Sequence, residues 1–219
     1  MNNQPLRRRN ADEIAQRVVQ DLPEGAHVNL GIGMPMKISN HLPIDREILL
    51  QSENGLLGMG PLAAPHEVDT ELVNAGKQPV TMVPGASLFN HAESFAMIRG
   101  GHIDVCVLGA FEVSVTGDLA NWRTNRDDAI PAVGGAMDLA YGAKRLYVMM
   151  EHLTKDGRSK IVNTCSYPLT ARSVVDKIYT DLATLVIQKD GIFAIDWIGD
   201  LEFEQLRELT GVNLQPPKD

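Results

Sequence analysis

The spacing of apolar residues along the chain predicts helices and strands in alternation. One-face helical spacing begins after Asn10, and Glu13 three residues later completes a capping-box pattern. Short apolar runs bounded by turn residues are typical of buried strands instead. The helices predicted in this way are 10–22, His91–Arg99, 173–179 and 203–209. The predicted strands are 27–30, 47–51, 79–83, 103–109, 146–150, Ala183–Gln188 and 192–196.

The order of these elements indicates the fold class. Because strands alternate with helices through most of the chain, the sequence predicts an α/β fold with an open, largely parallel sheet flanked by helices. The last two strands are separated by a short turn and are expected to pair as a hairpin, which would give the sheet a mixed edge. Residues 1–219 show no internal repeat and no linker, so we expect a single domain.

Composition and charge narrow the class of protein. The 219 residues are 44% hydrophobic and 22% charged, and their formal net charge of −8 argues against nucleic acid or an anionic membrane as the main partner. The apolar runs are too short to span a bilayer, and the first residues do not form a secretory signal, so we expect a cytoplasmic protein. Cys106 and Cys165 are far apart and the histidines are scattered, so no metal site is predicted.

One acidic residue stands at a position that favours chemistry. Glu53 directly follows a predicted buried strand and is itself followed by Asn54-Gly55. A carboxylate at the carboxyl end of a parallel strand, beside backbone with little side-chain cover, is a common arrangement for a reactive group. Asn-Gly is also a strong turn dipeptide, so these residues alone leave a reactive site and a plain turn equally open.

Glycine-bearing turns after predicted strands are candidates for the same site. The carboxyl ends of the strands of an open α/β sheet meet at one crevice, where backbone N–H groups can stabilise an oxyanion. Each turn taken singly is also consistent with an ordinary tight turn. The turns are Gly31/Gly33, Gly58/Gly60 and Gly134/Gly135.

Other enzyme motifs are absent or incomplete in the sequence. The run from Gly31 begins like a dinucleotide fingerprint, but Met36 stands where the third glycine belongs and Pro35 interrupts it. The sequence contains neither a Walker loop nor a Gly-x-Ser-x-Gly elbow. Nucleotide-dependent and serine-hydrolase chemistry are therefore not favoured.

Several motifs together resemble one protein family. They are Gln51-Ser52-Glu53-Asn54-Gly55 with Gly58, Asn29-Leu30-Gly31-Ile32-Gly33-Met34-Pro35, Asn74-Ala75-Gly76-Lys77, Ser94-Phe95-Ala96-Met97-Ile98-Arg99-Gly100-Gly101-His102 and Met150-Glu151-His152. With 117–122, 134–139 and 168–170 they cover nearly the whole chain. This set is similar to the β subunit of the class I 3-oxoacid CoA-transferases.

The resemblance implies a mechanism and a set of site residues. Glu53 would be the nucleophile that forms a mixed anhydride and then a glutamyl-CoA thioester, with CoA and succinyl-CoA as substrates and no tightly bound cofactor. An ordinary glutamate has a pKa of about 4.3, which leaves it ionised at neutral pH. Leu56, Leu57 and Met59 are expected to shield the intermediates from water. The expected oxyanion and substrate-binding residues are Asn29, Gly31, Gly33, Asn54, Gly134 and Gly135.

The resemblance also implies a partner and a substrate branch. A CoA-transferase α subunit would complete the active site in an α2β2 heterotetramer, and this chain alone would be inactive. The segments around Phe111, Val133 and Glu151 look closest to the 3-oxoadipate branch, with an acetoacetate-using relative as the alternative. This chain departs from those relatives after Asn121-Trp122, where Arg123-Thr124-Asn125-Arg126-Asp127-Asp128 replaces their Pro-Gly-Lys turn. From this departure we hypothesise that Arg123 or Arg126 helps to hold a second carboxylate. A non-catalytic ligand-binding protein on the same fold also stays open, because such a protein would not need Glu53.

Overall fold

The computed structural model describes residues 6–125 and 133–218. Its helices are α1 (Ala11–Asp21), α2 (His91–Arg99), α3 (Ala136–Gly142) and α4 (Phe203–Thr210), with a 3₁₀ helix over Met34–Asn40. Its strands are β1 (His27–Leu30), β2 (Leu49–Ser52), β3 (Leu56–Leu62), β4 (Val80–Leu88), β5 (Val105–Leu108), β6 (Glu112–Ser114), β7 (Leu119–Ala120), β8 (Leu146–Met149), β9 (Ile161–Val162), β10 (Val175–Tyr179), β11 (Ala183–Gln188), β12 (Gly191–Trp197) and β13 (Leu214–Gln215). Within the described ranges, none of the helices has both the length and the apolar character needed to cross a membrane.

The main sheet combines a parallel centre with antiparallel flanks. Its strand order is β13-β12-β11-β10-β8-β5-β1-β2-β3-β4, and the neighbours from β10 to β2 are parallel. The hairpin of β11 and β12 is antiparallel, which confirms the predicted mixed edge. At the other end β2, β3 and β4 are also antiparallel, which the sequence did not predict. A second, three-stranded sheet has the order β7-β6-β9.

Strand β5 shows how the sheet separates two apolar clusters. Val105 and Val107 pack in the cluster that contains the buried face of α1, whereas Cys106 and Leu108 pack in the cluster that contains α2 and α3. This alternation follows from the two-residue period of a strand, and a strand covered on both faces reads as a continuous apolar run. Cys106 is a packing residue of this strand, because its side chain is fully buried in the apolar cluster.

Helix α1 begins as the sequence predicts. The side chain of Asn10 accepts hydrogen bonds from the N–H groups of Asp12 and Glu13, and the Glu13 carboxylate accepts one from the N–H of Asn10 at 2.8 Å. The helix then buries Ile14 and Val18 against the sheet. The predicted helices α2 and α4 are likewise confirmed, α2 with its own capping box at Asn90 and α4 with a left-handed Gly211 at its end.

The helix predicted over 173–179 is wrong. Ser173 has a φ of +51°, which a helix interior does not allow, and residues from Val175 form β10 instead. β10 lies parallel to β8, where Ile178 pairs with Val148. Its β-branched and aromatic residues suit a half-buried strand, and a register shift between Val175 and Lys177 disturbs the alternation that would have revealed the strand.

Candidate active site

Glu53 lies in the tight turn between β2 and β3. Ser52 pairs with Leu56 across this hairpin, and the N–H of Gly55 donates to the carbonyl of Ser52 at 3.0 Å. Gly55 has a φ of +117°, and a Cβ at this position would collide with the carbonyl oxygen of Phe89. Only glycine fits here, so the Asn-Gly pair is a true turn and fixes Glu53 at the carboxyl end of β2. The turn is confirmed, and the reactive site at Glu53 stays a prediction.

A cavity of about 540 Å³ adjoins Glu53 at the carboxyl ends of the central strands. The position agrees with the general rule that ligands of open α/β sheets bind beyond these strand ends. Most of its wall is apolar. Leu56, Leu57 and Met59, which were expected to shield the intermediates from water, do not line it. The wall includes Gly31 after β1, Glu53 after β2, Gly109 after β5 and Glu151 after β8.

Gly135 is the glycine that approaches Glu53 most closely. A Cβ on Gly135 would lie 2.9 Å from Oε2 of Glu53 and 2.6 Å from Cζ of Phe95. The φ of Gly135 is −84°, so the position needs glycine for space and not for its backbone conformation. Gly134 beside it has a φ of +49° with open space around its Cβ position. Both glycines line the cavity, as expected from the sequence.

Two other predicted glycines, Gly31 and Gly33, serve the backbone structure around the cavity. The N–H of Gly31 donates to the carbonyl of Val107 at 2.8 Å, so it continues the sheet and is not free for a substrate oxygen. A Cβ on Gly31 would lie 2.8 Å from Cδ2 of Leu108, which means that glycine provides room at the cavity wall. Gly33, with a φ of +96°, precedes the 3₁₀ helix and does not line the cavity.

Asn29 and Asn54 are placed near Glu53 but do not face the cavity. Asn54 is exposed and its Nδ2 donates to the carbonyl of Val73 at 2.8 Å. Asn29 is buried beneath the site, where its Nδ2 donates to both the carbonyl and Oε1 of Gln51. Nε2 of Gln51 in turn donates to Oγ of the buried Ser94 at 2.6 Å. Asn29 therefore belongs to a buried polar chain that joins β1, β2 and α2.

The surroundings of Glu53 change its acidity. Burial raises the pKa of the Glu53 carboxyl, and the charge of nearby His91 opposes this shift. The pKa of Glu53 is therefore higher than that of an ordinary glutamate. His91 stands in the first turn of α2, where its ring lies 4.7 Å from that of Phe95, and both residues line a second opening that reaches Glu53.

Comparison with known proteins identifies the family. The coenzyme A transferase family model matches residues 11–195. The chain belongs to the coenzyme A transferase family. It is 57% identical over 202 residues to the B subunit of the 3-oxoadipate CoA-transferase of Pseudomonas putida, covering 92% of this chain and 94% of that relative. It is 47% identical over 199 residues to the B subunit of the succinyl-CoA:3-ketoacid coenzyme A transferase of Helicobacter pylori, covering 91% and 95%.

The fold agrees with solved structures of the family. The apoenzyme of the acyl-CoA transferase YdiF from Escherichia coli O157:H7 superposes with a TM-score of 0.74 at 17% identity, over 98% of this chain and 43% of that one. This chain thus spans less than half of the YdiF chain. Because the sequence relatives are named as B subunits, a partner subunit is implied for this chain.

Sequence reasoning missed three residues near Glu53 or in the wall of its cavity. Phe95 and His91 lie beside Glu53 only because α2 packs against the β2–β3 turn. Lys160 lines the cavity from a segment that leads into the two-residue strand β9, which is too short to show a period. Arg123 is exposed and is not part of the described cavity wall, and Arg126 lies outside the described residues.

Proposed function

We propose that this chain is the β subunit of a CoA-transferase that moves CoA from succinyl-CoA to a 3-oxoacid, with 3-oxoadipate as the acceptor. The observation that carries the proposal is the Glu53 carboxylate at the wall of a largely apolar cavity, with its Oε2 beside the backbone of Gly135. The B subunit named for 3-oxoadipate is 57% identical over 92% of this chain, whereas those named for 3-ketoacids are 54% identical over 78% (Bacillus subtilis) and 47% identical over 91% (Helicobacter pylori), which supports 3-oxoadipate as the acceptor.

The proposed reaction uses Glu53 as a covalent carrier of CoA. The carboxylate attacks the carbonyl carbon of succinyl-CoA and expels the CoA thiolate, which leaves a mixed anhydride. The thiolate then attacks the Glu53 carbonyl, succinate leaves, and CoA remains as a glutamyl thioester. A carboxylate of the acceptor attacks this thioester, and the thiolate released then attacks the acceptor carbonyl of the new anhydride. The products are the acceptor's CoA thioester and a regenerated Glu53.

The other site residues have different roles in this proposal. Gly134 and Gly135 allow the substrate carbonyl to approach the backbone next to Glu53, where N–H groups can stabilise the oxyanion. Gly31 provides space at the cavity wall, and Gly33 and Asn54 hold the neighbouring turns. Asn29 acts through Gln51 by fixing the strand that carries Glu53, because its side-chain N–H groups are already donated.

The assembly is part of the proposal. An α subunit would cover the open side of the cavity and supply groups for CoA, in an α2β2 heterotetramer. The net charge of −8 on this chain is consistent with cationic groups that come from the partner. CoA enters as a substrate, and no tightly bound cofactor is required by the reaction described.

The test is intact-mass spectrometry of the chain co-expressed with its partner subunit and exposed to succinyl-CoA alone. A CoA adduct is expected on the peptide that contains Glu53, and it should be absent from Glu53→Gln. Glu151→Gln, the other carboxylate at the cavity wall, should still form the adduct. An assembled complex without an adduct, or an adduct that survives in Glu53→Gln, would contradict the proposal.

A further inference from the structure

Lys160 is the cationic side chain of the cavity. Among the described residues of the wall, the charged ones are Glu53, Glu151 and Lys160. Other lysines are neutralised in ion pairs, Lys144 with Asp104 and Lys177 with Asp21. Within the described ranges Lys160 has no such pair, and the charges that act on its ammonium, Glu151 and Asp181, do so without a side-chain hydrogen bond.

The backbone holds Lys160 firmly at this wall. Its N–H donates to the carbonyl of His152 at 3.0 Å, and its own carbonyl accepts from the N–H of Val113 at 3.0 Å. His152 and Val113 are both fully buried. The backbone of Lys160 is therefore fixed directly before β9, and its flexible side chain belongs to the cavity wall.

The ammonium of Lys160 is poorly solvated for a cation. Burial lowers the pKa of this group, and the nearby charges of Glu151 and Asp181 oppose that shift. A partly buried cation without a hydrogen-bonded partner gains most from an anion that arrives with the ligand. The wall of one cavity thus contains both a cation without a hydrogen-bonded side-chain partner and the carboxylate of Glu53.

We propose that Lys160 binds the second carboxylate of a dicarboxylic substrate whose first carboxylate reacts at Glu53. The inference rests on the proposed function and names its specificity residue. Succinyl-CoA and 3-oxoadipate each have a carboxylate that takes no part in the transfer and stays ionised throughout. That charge needs a counterion, and Lys160 is the cationic side chain among the described residues of the wall. Lys160 takes the role that the sequence suggested for Arg123 or Arg126.

Two acids that differ in one group test the role of Lys160. 3-Oxohexanoate is 3-oxoadipate with a methyl in place of the distal carboxylate, so it retains the reacting end and lacks the end that Lys160 would bind. The complex with the partner subunit is loaded to completion with saturating succinyl-CoA and desalted rapidly. It is then mixed with either acid, and the loss of the CoA adduct is followed by quenched-flow mass spectrometry. The variants are Lys160→Met and Lys160→Arg, with Lys189→Met as an exposed lysine control that carries the same charge change.

The selectivity between the two acids decides the outcome. Lys160→Met should slow discharge by 3-oxoadipate about 10- to 100-fold, the range expected for one lost charged hydrogen bond, and change discharge by 3-oxohexanoate by less than about 3-fold. Lys160→Arg should keep the preference for the dicarboxylate, and Lys189→Met should behave as wild type. If Lys160→Met does not assemble with the partner, Lys160→Gln gives the same comparison.

Two results would overturn the inference. Equal loss with both acids would mean that Lys160 only neutralises Glu151 or supports the fold, and unchanged discharge would mean that it does not touch substrate. In both cases the adduct still forms, so the proposed function stands while the inference falls. A wild-type complex that forms no adduct with succinyl-CoA would remove the proposed function and this inference together.

Discussion

Replacing Gly135 with alanine tests whether the space beside Glu53 is needed for catalysis. The added methyl would stand 2.9 Å from Oε2 of Glu53 and 2.6 Å from Cζ of Phe95. Ordinary carbon contacts lie at about 3.5–4.0 Å, so both groups must retreat by roughly 0.5–1 Å. Phe95 is 8% exposed and packed in the core, which leaves the Glu53 side chain as the group that can move.

The expected cost falls on activity more than on stability. A displacement of about 1 Å at a reacting group can lower the rate on the order of 100-fold, so kcat/KM of Gly135→Ala should fall about 10- to 100-fold. The crowding of Phe95 should lower the free energy of unfolding by about 1–3 kcal/mol. Steady-state transfer from succinyl-CoA to 3-oxoadipate measures the first effect, and chemical denaturation of the same complex measures the second.

Gly109→Ala is the matched control for Gly135→Ala. Gly109 lines the same cavity, but a Cβ there would meet nothing within 4 Å and its φ is not in the left-handed region. It should therefore keep kcat/KM within about 3-fold of wild type, since no contact near Glu53 changes. Gly135→Ala at wild-type activity, or equal losses in both variants, would refute the argument that a close contact positions the carboxylate.

Two further predictions concern the buried groups around the site. Burial raises the folded-state pKa of Glu53 above its unfolded value, so the folded protein binds more protons and wild type loses stability as pH rises through that interval. Glu53→Gln should therefore gain thermal stability relative to wild type as the pH rises above the unfolded-state pKa of about 4.3, and a relative loss would contradict the shift. Gln51→Leu should lower the free energy of unfolding by about 2–4 kcal/mol in denaturant titrations, because it leaves buried groups of Asn29 and Ser94 without their partner. Ser94→Ala should lower the free energy of unfolding by less than Gln51→Leu does. Equal losses in the two variants would argue against a connected chain of hydrogen bonds from Asn29 through Gln51 to Ser94.

The fold was predictable where one period dominates a segment. α1 combines a helical spacing with a capping box, and β5 reads as a strand because both of its faces are buried. The error at 173–179 arose because Ser173 adopts a left-handed conformation and β10 has a register shift, and neither is visible in apolar spacing. The small sheet of β6, β7 and β9 was missed because strands of two or three residues have no measurable period.

The candidate site was predictable in part for a similar reason. Glu53 and Gly135 follow from motifs that stand in short stretches of sequence, and the structure brings these stretches together at the cavity. The sequence does not tell whether Asn29 faces the cavity or lies beneath it. That position depends on the hydrogen bonds of Asn29 to Gln51, which form only because β1 pairs with β2. Lys160 is 107 positions from Glu53 and belongs to no recognisable motif. Its relevance depends on the tertiary fold alone.

Burial of Glu53 affects both its pKa and the access of water to the intermediates of the proposed reaction. An anhydride and a thioester are both destroyed by water, so the carboxylate must lie among apolar groups such as Leu30, Leu108 and Met149. Burial also raises the pKa of Glu53, which makes the ionised carboxylate a stronger nucleophile but lowers the fraction of Glu53 that is ionised. The charge of His91 opposes this shift and so keeps more of Glu53 ionised. Ile32 and Phe111 line the cavity yet are 64% and 40% exposed in this chain. Apolar wall residues that remain open to solvent indicate that this chain alone does not exclude water. In the proposed reaction the intermediates would therefore need the partner subunit or the bound CoA to close the cavity before Glu53 reacts.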